Sequence, residues 1–278
     1  MVIAIIAILA ALLLPVLATA KLKATQATCI SNQKQLMLAF SMFSTENEDN
    51  IVGFGTMDGY IDPSKIPGGV NWNQVGLTSE QAMANLIKDL AAPSVDPLYK
   101  YAPNLGVIHC PGDTRFKFNA PGKGWAYDSY SKANNLSGDP AANYSGQGSS
   151  YTKLSSVLAV SSTFAFREDA DPRGYNIGTW VVNWQLNTPT PAPYQHTQSF
   201  SWVDALPMYH GNVSTSSFVD AHVEPYSWGD GIVIKYGKQI AANDPAVISG
   251  GAFIPPQTAY TADYEYNYQG YRFPGWQQ

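Results

Sequence analysis

MVIAIIAILAALLLPVLATA, residues 1–20, runs straight into KLKATQATCISNQKQLMLAFSMFSTENE, residues 21–48, and the change of pattern at Lys21 decides the fold. The first segment carries no charged side chain, and Thr19 is its one strong hydrogen-bonding group. As a helix it would extend about 30 Å, the thickness of a bilayer's hydrocarbon core. The second segment lacks Gly and Pro, and Cys29, Ile30, Leu36, Met37, Phe40 and Phe43 follow the i, i+3, i+4, i+7 spacing of an amphipathic helix. A rod that is apolar all round and then apolar on one stripe sits half in lipid or in a filament core and half against a soluble domain. A cleavable signal peptide is the rival reading, and Ala18-Thr19-Ala20 offers it a cleavage site. Against it, no basic residue precedes the apolar run, and signal peptides do not continue as an amphipathic helix. Pro15 removes one backbone hydrogen bond from the apolar half, which predicts a kink or a locally melted turn there.

Working outward, residues 1–48 read as one helix and 49–278 as one globular, β-rich head. The head opens with charges and glycines (Asn47 to Gly59) that end the helix. Thr78-Ser79-Glu80-Gln81 reads as a capped start for a short helix through Met83, Leu86, Ile87 and Leu90, stopped by Pro93. Thr163–Phe166, Thr179–Val182, Ser217–Val219 and His222–Glu224 are the strand candidates, β-branched and aromatic with partial alternation. The fold class is therefore α+β, with an antiparallel sheet laid over the amphipathic half of the helix.

The formal net charge is −5 and no basic run exceeds Lys21-Leu-Lys23, which excludes nucleic acid as a natural partner. Only 13% of residues are charged, while 23 Gly, 19 Pro, 17 Tyr and 7 Trp suit short strands and long surface loops, a secreted rather than a cytosolic balance. Cys29 and Cys110 form no CxxC pair, which argues against a zinc ribbon or a thioredoxin-type site. The natural reading, and the expectation here, is one Cys29–Cys110 disulfide tying helix to head in an oxidising compartment; two unpaired buried thiols are the alternative.

VIAIIAILAALLLPVLATAK followed by CISNQKQLMLAF resembles the N-terminal segment of type IV pilins and type II secretion pseudopilins. It is similar, more narrowly, to pilin-like proteins of planctomycete and verrucomicrobial bacteria. Head segments carry the same resemblance: Cys110-Pro-Gly-Asp113 is similar to a CPxD element, and Thr163 to Glu168 to a strand ending in an acidic pair. His210, Asp220 and Ala221 match an H-x9-D-G pattern with Ala in place of Gly, and Tyr271-Arg-Phe-Pro-Gly-Trp276 matches the ending. The resemblance implies a subunit that polymerises through its N-terminal helix, with Ile5, Ile8, Leu12 and Pro15 in the assembly segment. Its implied partners are identical subunits in a helical filament and, before assembly, a prepilin peptidase and inner-membrane machinery. The implied location is the cell envelope, first the inner membrane and then an extracellular or periplasmic filament. Pro15 matches the family's helix-breaking proline, but no acidic residue precedes Glu46, so the family's N-terminal glutamate and its role in registry would belong to residues ahead of Met1.

No G-x-S-x-G, HExxH, Walker or Rossmann glycine pattern occurs, so no enzyme is expected. No cofactor is required. Glu168, Asp169, Asp171 and Asp220 are hard oxygen donors that would suit calcium if they converged, as the ion-holding loops of related pseudopilins imply; otherwise they are solvated acidic loops. His210 and His222 with Asp220 are read as a buried hydrogen-bonded network that fixes the loop geometry, with zinc ligation as the lesser alternative. The Trp and Tyr content leaves a second function class open, an envelope carbohydrate-binding module on a membrane anchor. The proline-spaced run 187–194 and the tail from Ala259 to Trp276, which as a strand would set Tyr264, Tyr266 and Tyr268 on one face, are candidate filament-surface or subunit contacts.

Overall fold

The computed structural model describes residues 2–53, 72, 74–138, 150–170, 179–184, 200–204, 206–244, 247 and 261–274. Asp171 and the proline-spaced run 187–194 lie outside them.

Helix α1 (Val2–Glu46) is a single α-helix of 45 residues, about 68 Å long at the α-helical rise. The locally melted turn allowed for at Pro15 does not occur: the backbone stays helical across it, and the Thr19 hydroxyl donates to the Pro15 carbonyl at 3.0 Å. A proline costs one ladder bond, here the one to the Ala11 carbonyl, and the flanking run of strong helix formers carries the helix through. The two halves of α1 differ as the pattern predicted. Gln26, Cys29, Asn32, Gln33, Leu36, Met37, Ala39, Phe40 and Ser44 are buried against the head, whereas the most apolar window of the helix buries none of its residues.

The face that receives α1 is a four-stranded antiparallel sheet in the order β1-β2-β5-β6, formed by Tyr130–Lys132, Phe164–Glu168, Val213–Phe218 and Val223–Ser227. Strands β3 (Val182–Trp184) and β4 (Phe200–Trp202) make a separate antiparallel pair. The register between β2 and β5 shifts between Phe164↔Phe218 and Arg167↔Ser216, so three steps on one strand answer two on the other. Such a bulge reverses the alternation of side chains. Phe164 and Arg167 therefore share the face away from α1, while Phe166 and Glu168 share the face toward it. The Ser217 hydroxyl fills the gap by accepting from the Phe166 amide at 2.9 Å. On the α1 side the Phe40 and Phe166 rings meet edge to face at 5.9 Å.

The far face is aromatic. The fully buried Arg167 guanidinium lies 4.3 Å from the centres of both the Phe164 and Trp180 rings and donates to Asn267 Oδ1 at 2.7 Å. Burial lowers its pKa to about 10, and the ring faces and the Asn267 amide oxygen supply what a carboxylate would elsewhere. Asn267 belongs to α5 (Ala262–Gly270), capped by the Thr261 hydroxyl, which accepts from the Tyr264 amide at 3.1 Å. The expected tail strand is thus a helix: Tyr264 and Tyr268 are one turn apart and their rings stack at 6.1 Å. Tyr266 turns to the sheet and stacks on Tyr226 at 3.7 Å.

Two further helices belong to the head. Helix α2 (Ser79–Leu90) starts on the capping box expected at Thr78, whose hydroxyl takes the Gln81 amide while the Gln81 side chain takes the Thr78 amide. Helix α4 (Gly231–Ala241), which the sequence pattern did not announce, is capped by Asp230 and buries Val233, Gly237 and Ile240. A short helix, α3 (Arg115–Phe118), follows the Cys-Pro-Gly-Asp turn, in which the Asp113 amide bonds back to the Cys110 carbonyl at 2.8 Å. Gly112 is required there because a Cβ would stand 2.8 Å from Tyr209 Cβ.

Candidate functional site

The apolar half of α1 is the first candidate surface. Its large side chains stand free of the head: Ile5 is 55% exposed, Ile8 62% and Leu12 67%. At a mean hydropathy of 2.9 over its best window, the helix is long and apolar enough to cross a membrane. Each such side chain would gain about 1.5–3 kcal/mol on full burial, so the surface favours lipid or another apolar face over water.

The second candidate lies where the buried half of α1 meets the sheet. Cross-strand pairing aligns Tyr130 of β1 with Glu168 of β2, and the step after Arg167↔Ser216 brings Thr215 of β5 beside Glu168 on the same face. Over this row α1 lays Thr25, Cys29 and Gln33. Asn32 fixes the helix by donating to the Gly106 and His109 carbonyls, both at 2.9 Å, so the chain leads from there directly into Cys110. Gly211 turns the chain with φ 89° just before β5, placing His210 over the same row.

Cys29, Cys110, Glu168 and His210 thereby converge. Their donor atoms all lie within 4.8 Å of one another, and all four residues are buried. The expected disulfide is not formed: the two residues are brought together as expected, but the sulfurs are 2.7 Å apart, beyond a covalent bond of about 2.05 Å, and both cysteines are free thiols. His210 Nε2 stands 2.8 Å from Glu168 Oε1 and 3.7 Å from Cys110 Sγ. The Thr25 hydroxyl donates to the Leu22 carbonyl at 2.9 Å, which leaves its oxygen to accept from His210 Nδ1 at 3.2 Å. Glu168 is held by the Thr215 hydroxyl at 2.8 Å and the Thr215 amide at 3.2 Å, and Gln33 Nε2 donates to Thr215 Oγ1 at 2.7 Å.

Burial acts to lower the His210 pKa, but the Glu168 carboxylate beside the ring outweighs it and pushes the value up to about 10, so the pair is an ion pair at neutral pH. The thiols diverge: Cys29 is lowered, first by its bond to Cys110, whereas Cys110 is raised by burial and by its Cys29 neighbour. Cys29 is the sulfur that ionises first.

Among the described residues, the carboxylates read as calcium donors, Glu168, Asp169 and Asp220, do not meet. Glu168 ends β2 inside the thiol cluster, and the Asp169 side chain accepts from the Ser131 hydroxyl at 2.8 Å. Asp220 sits in the turn beyond Phe218, which pairs with Phe164 at the other end of β2, about 13 Å away at the rise of a strand. The proposed histidine network likewise divides. His222 pairs with Asp220 at 2.5 Å in an exposed turn and stacks on Phe218 at 4.3 Å, while His210 belongs to Glu168. The turn at Ala221 does take a positive φ, 71°, where the resembling proteins carry glycine. Thr25, Gln33, Tyr130 and Thr215 were not singled out from the sequence, since nothing local distinguishes them from ordinary core or helix-face residues.

No family model matches the chain, and neither a curated protein nor a solved structure matches it. A long apolar N-terminal helix on an antiparallel sheet is compatible with a pilin-like architecture, and it suggests a membrane anchor or a signal sequence.

Proposed function

We propose that the protein is a structural subunit of an extracellular type IV pilus-like or pseudopilus filament. It would polymerise through the apolar half of α1 after passage through the inner membrane, prepilin peptidase and the assembly machinery. The observation that carries this reading is the division of one continuous helix. From Gln26 onward it is built into the head, and from Val2 to Leu17 its large apolar side chains stand exposed, with no partner among the described residues. Identical copies supply such a partner, and contacts that repeat without closing make a helical filament. No catalytic role is proposed, because the thiol–imidazole–carboxylate cluster is shut off from substrate by burial. The carbohydrate-binding alternative draws no support from Trp72, Trp125, Trp180, Trp202 and Trp228, which are buried and offer no face to a sugar.

The test replaces Ile5, Ile8 and Leu12 together with Asp. Charges without partners are strongly disfavoured in an apolar bundle, so the head should keep its circular dichroism while extracellular filaments vanish from electron micrographs. Filaments of unchanged abundance from the triple variant, or from a chain beginning at Lys21, would remove the proposed mechanism.

A further inference from the structure

A buried ion pair packed against two thiols is an expensive arrangement, because the desolvation of both charges is repaid only when every partner is well placed. A disulfide alone has no use for it. Seen as a donor set, the same four side chains are two sulfurs, an imidazole nitrogen and a carboxylate oxygen, the ligand types and number of a closed tetrahedral zinc site.

The surrounding bonds fit that role. The Thr25 hydrogen is committed to the Leu22 carbonyl, so His210 Nδ1 must carry the proton that Thr25 accepts. Nε2 is then the atom directed at Glu168 and Cys110, and at 2.8 Å from a carboxylate oxygen it needs positive charge between the two: a proton, or a metal ion. A histidine oriented through its second nitrogen is the usual outer support of a metal ligand, as is a carboxylate fixed by further donors, here from Thr215 backed by Gln33. An independent sign is Tyr130. It is 7% exposed, its hydroxyl is buried without a hydrogen-bond partner, and it faces the cluster from the strand position paired with Glu168. A thiolate at Cys29 would give that hydroxyl an acceptor.

We propose that, with both cysteines reduced, Cys29, Cys110, His210 and Glu168 close on one divalent ion of the zinc class, clamping α1 to the head by coordination. The two thiols lose their protons to solvent and Nε2 gives up the proton it shares with Glu168. Bond lengths of about 2.3 Å to sulfur and about 2.0–2.1 Å to nitrogen and oxygen place the sulfurs about 3.8 Å apart and the nitrogen and oxygen about 3.3 Å apart. The ion thus widens the first pair by about 1 Å and the second by about 0.5 Å, relative to 2.7 and 2.8 Å without it. Thiolate and imidazole donors select zinc over calcium. Oxidation to a disulfide, in which a thiol oxidant of the disulfide class takes two electrons and two protons from the pair, consumes both sulfurs, so the clamp has two mutually exclusive closed forms. This holds whether or not the chain forms filaments.

The test uses the full chain in detergent, reduced and stripped of metal, titrated with Co²⁺ alone. One Co²⁺ per chain is expected, with thiolate-to-cobalt charge-transfer bands and the intense visible bands of a tetrahedral ion, both abolished by one equivalent of Zn²⁺. Cys29→Ser and Cys110→Ser should each lose the charge-transfer intensity of one sulfur, and the oxidised chain should bind nothing. Tyr130→Phe should keep the bands and weaken affinity about tenfold, as loss of an outer-shell partner does. The proposal is overturned if the reduced chain, folded by circular dichroism and with two titratable thiols, shows no such bands at stoichiometric Co²⁺. It is equally overturned if the bands survive in the double Cys29→Ser, Cys110→Ser variant, or if they report six-coordinate oxygen and nitrogen ligation.

Discussion

Oxidising Cys29 and Cys110 to a disulfide should stabilise the protein by an amount the topology sets. The two residues are 81 positions apart, so the bond closes a loop that takes in the last turns of α1, all of α2 and everything between. Loop-closure entropy for a ring of that size corresponds to about 4.5 kcal/mol at room temperature. Little strain offsets it, since the sulfurs already touch and Asn32 already fixes the helix to the segment carrying Cys110. Residual helix in the unfolded α1 would reduce the gain, because a chain held partly straight has less entropy to lose. The measurement compares urea unfolding of the full chain in detergent, oxidised and reduced, with chelator throughout to exclude coordination. The Cys29→Ala, Cys110→Ala variant serves as a control that cannot respond to redox. A difference of about 2–5 kcal/mol, present only when both cysteines are, is expected. Equal midpoints for the two redox states, or two free thiols remaining after oxidant treatment of the folded chain, would refute the reasoning.

Removing the carboxylate from the buried pair by Glu168→Ala should cost about 3–5 kcal/mol in the reduced protein, because His210 is left as an uncompensated buried charge; a double-mutant cycle with His210 reads the coupling. Phe40→Ala should cost about 3–5 kcal/mol in chemical unfolding, since Phe40 is fully buried and its ring meets Phe166 at the junction of helix and sheet. Ala221→Gly should stabilise by about 1 kcal/mol, seen as a higher unfolding midpoint, because it relieves a left-handed backbone at φ 71° without removing any side-chain hydrogen bond.

What the sequence determined by itself was what local pattern encodes. The uninterrupted run to Glu46 and its change from uniform to one-sided apolarity specify α1 and its two halves. A hydroxyl at Thr78 and an amide three residues on specify the start of α2, because both partners of the capping box lie within one turn. Strand β2 shows as a short aromatic run, whereas the runs at Ser217–Val219 and His222–Glu224 reach only the end of β5 and the start of β6. Local pattern also misled where two periods compete. Tyr264, Tyr266 and Tyr268 alternate like a strand, yet Thr261 caps them into a helix whose first turn holds Asp263 and Glu265, favourable at the positive end of its dipole. Tertiary structure alone decided the cluster. Cys29, Cys110, Glu168 and His210 come from four distant segments. They meet only because α1 docks across the sheet and because a bulge in β2 turns Glu168, rather than Arg167, toward the helix. One residue more or fewer in that bulge would send the carboxylate to the aromatic face, since alternation along a strand has a period of two and no nearby residue announces where it slips.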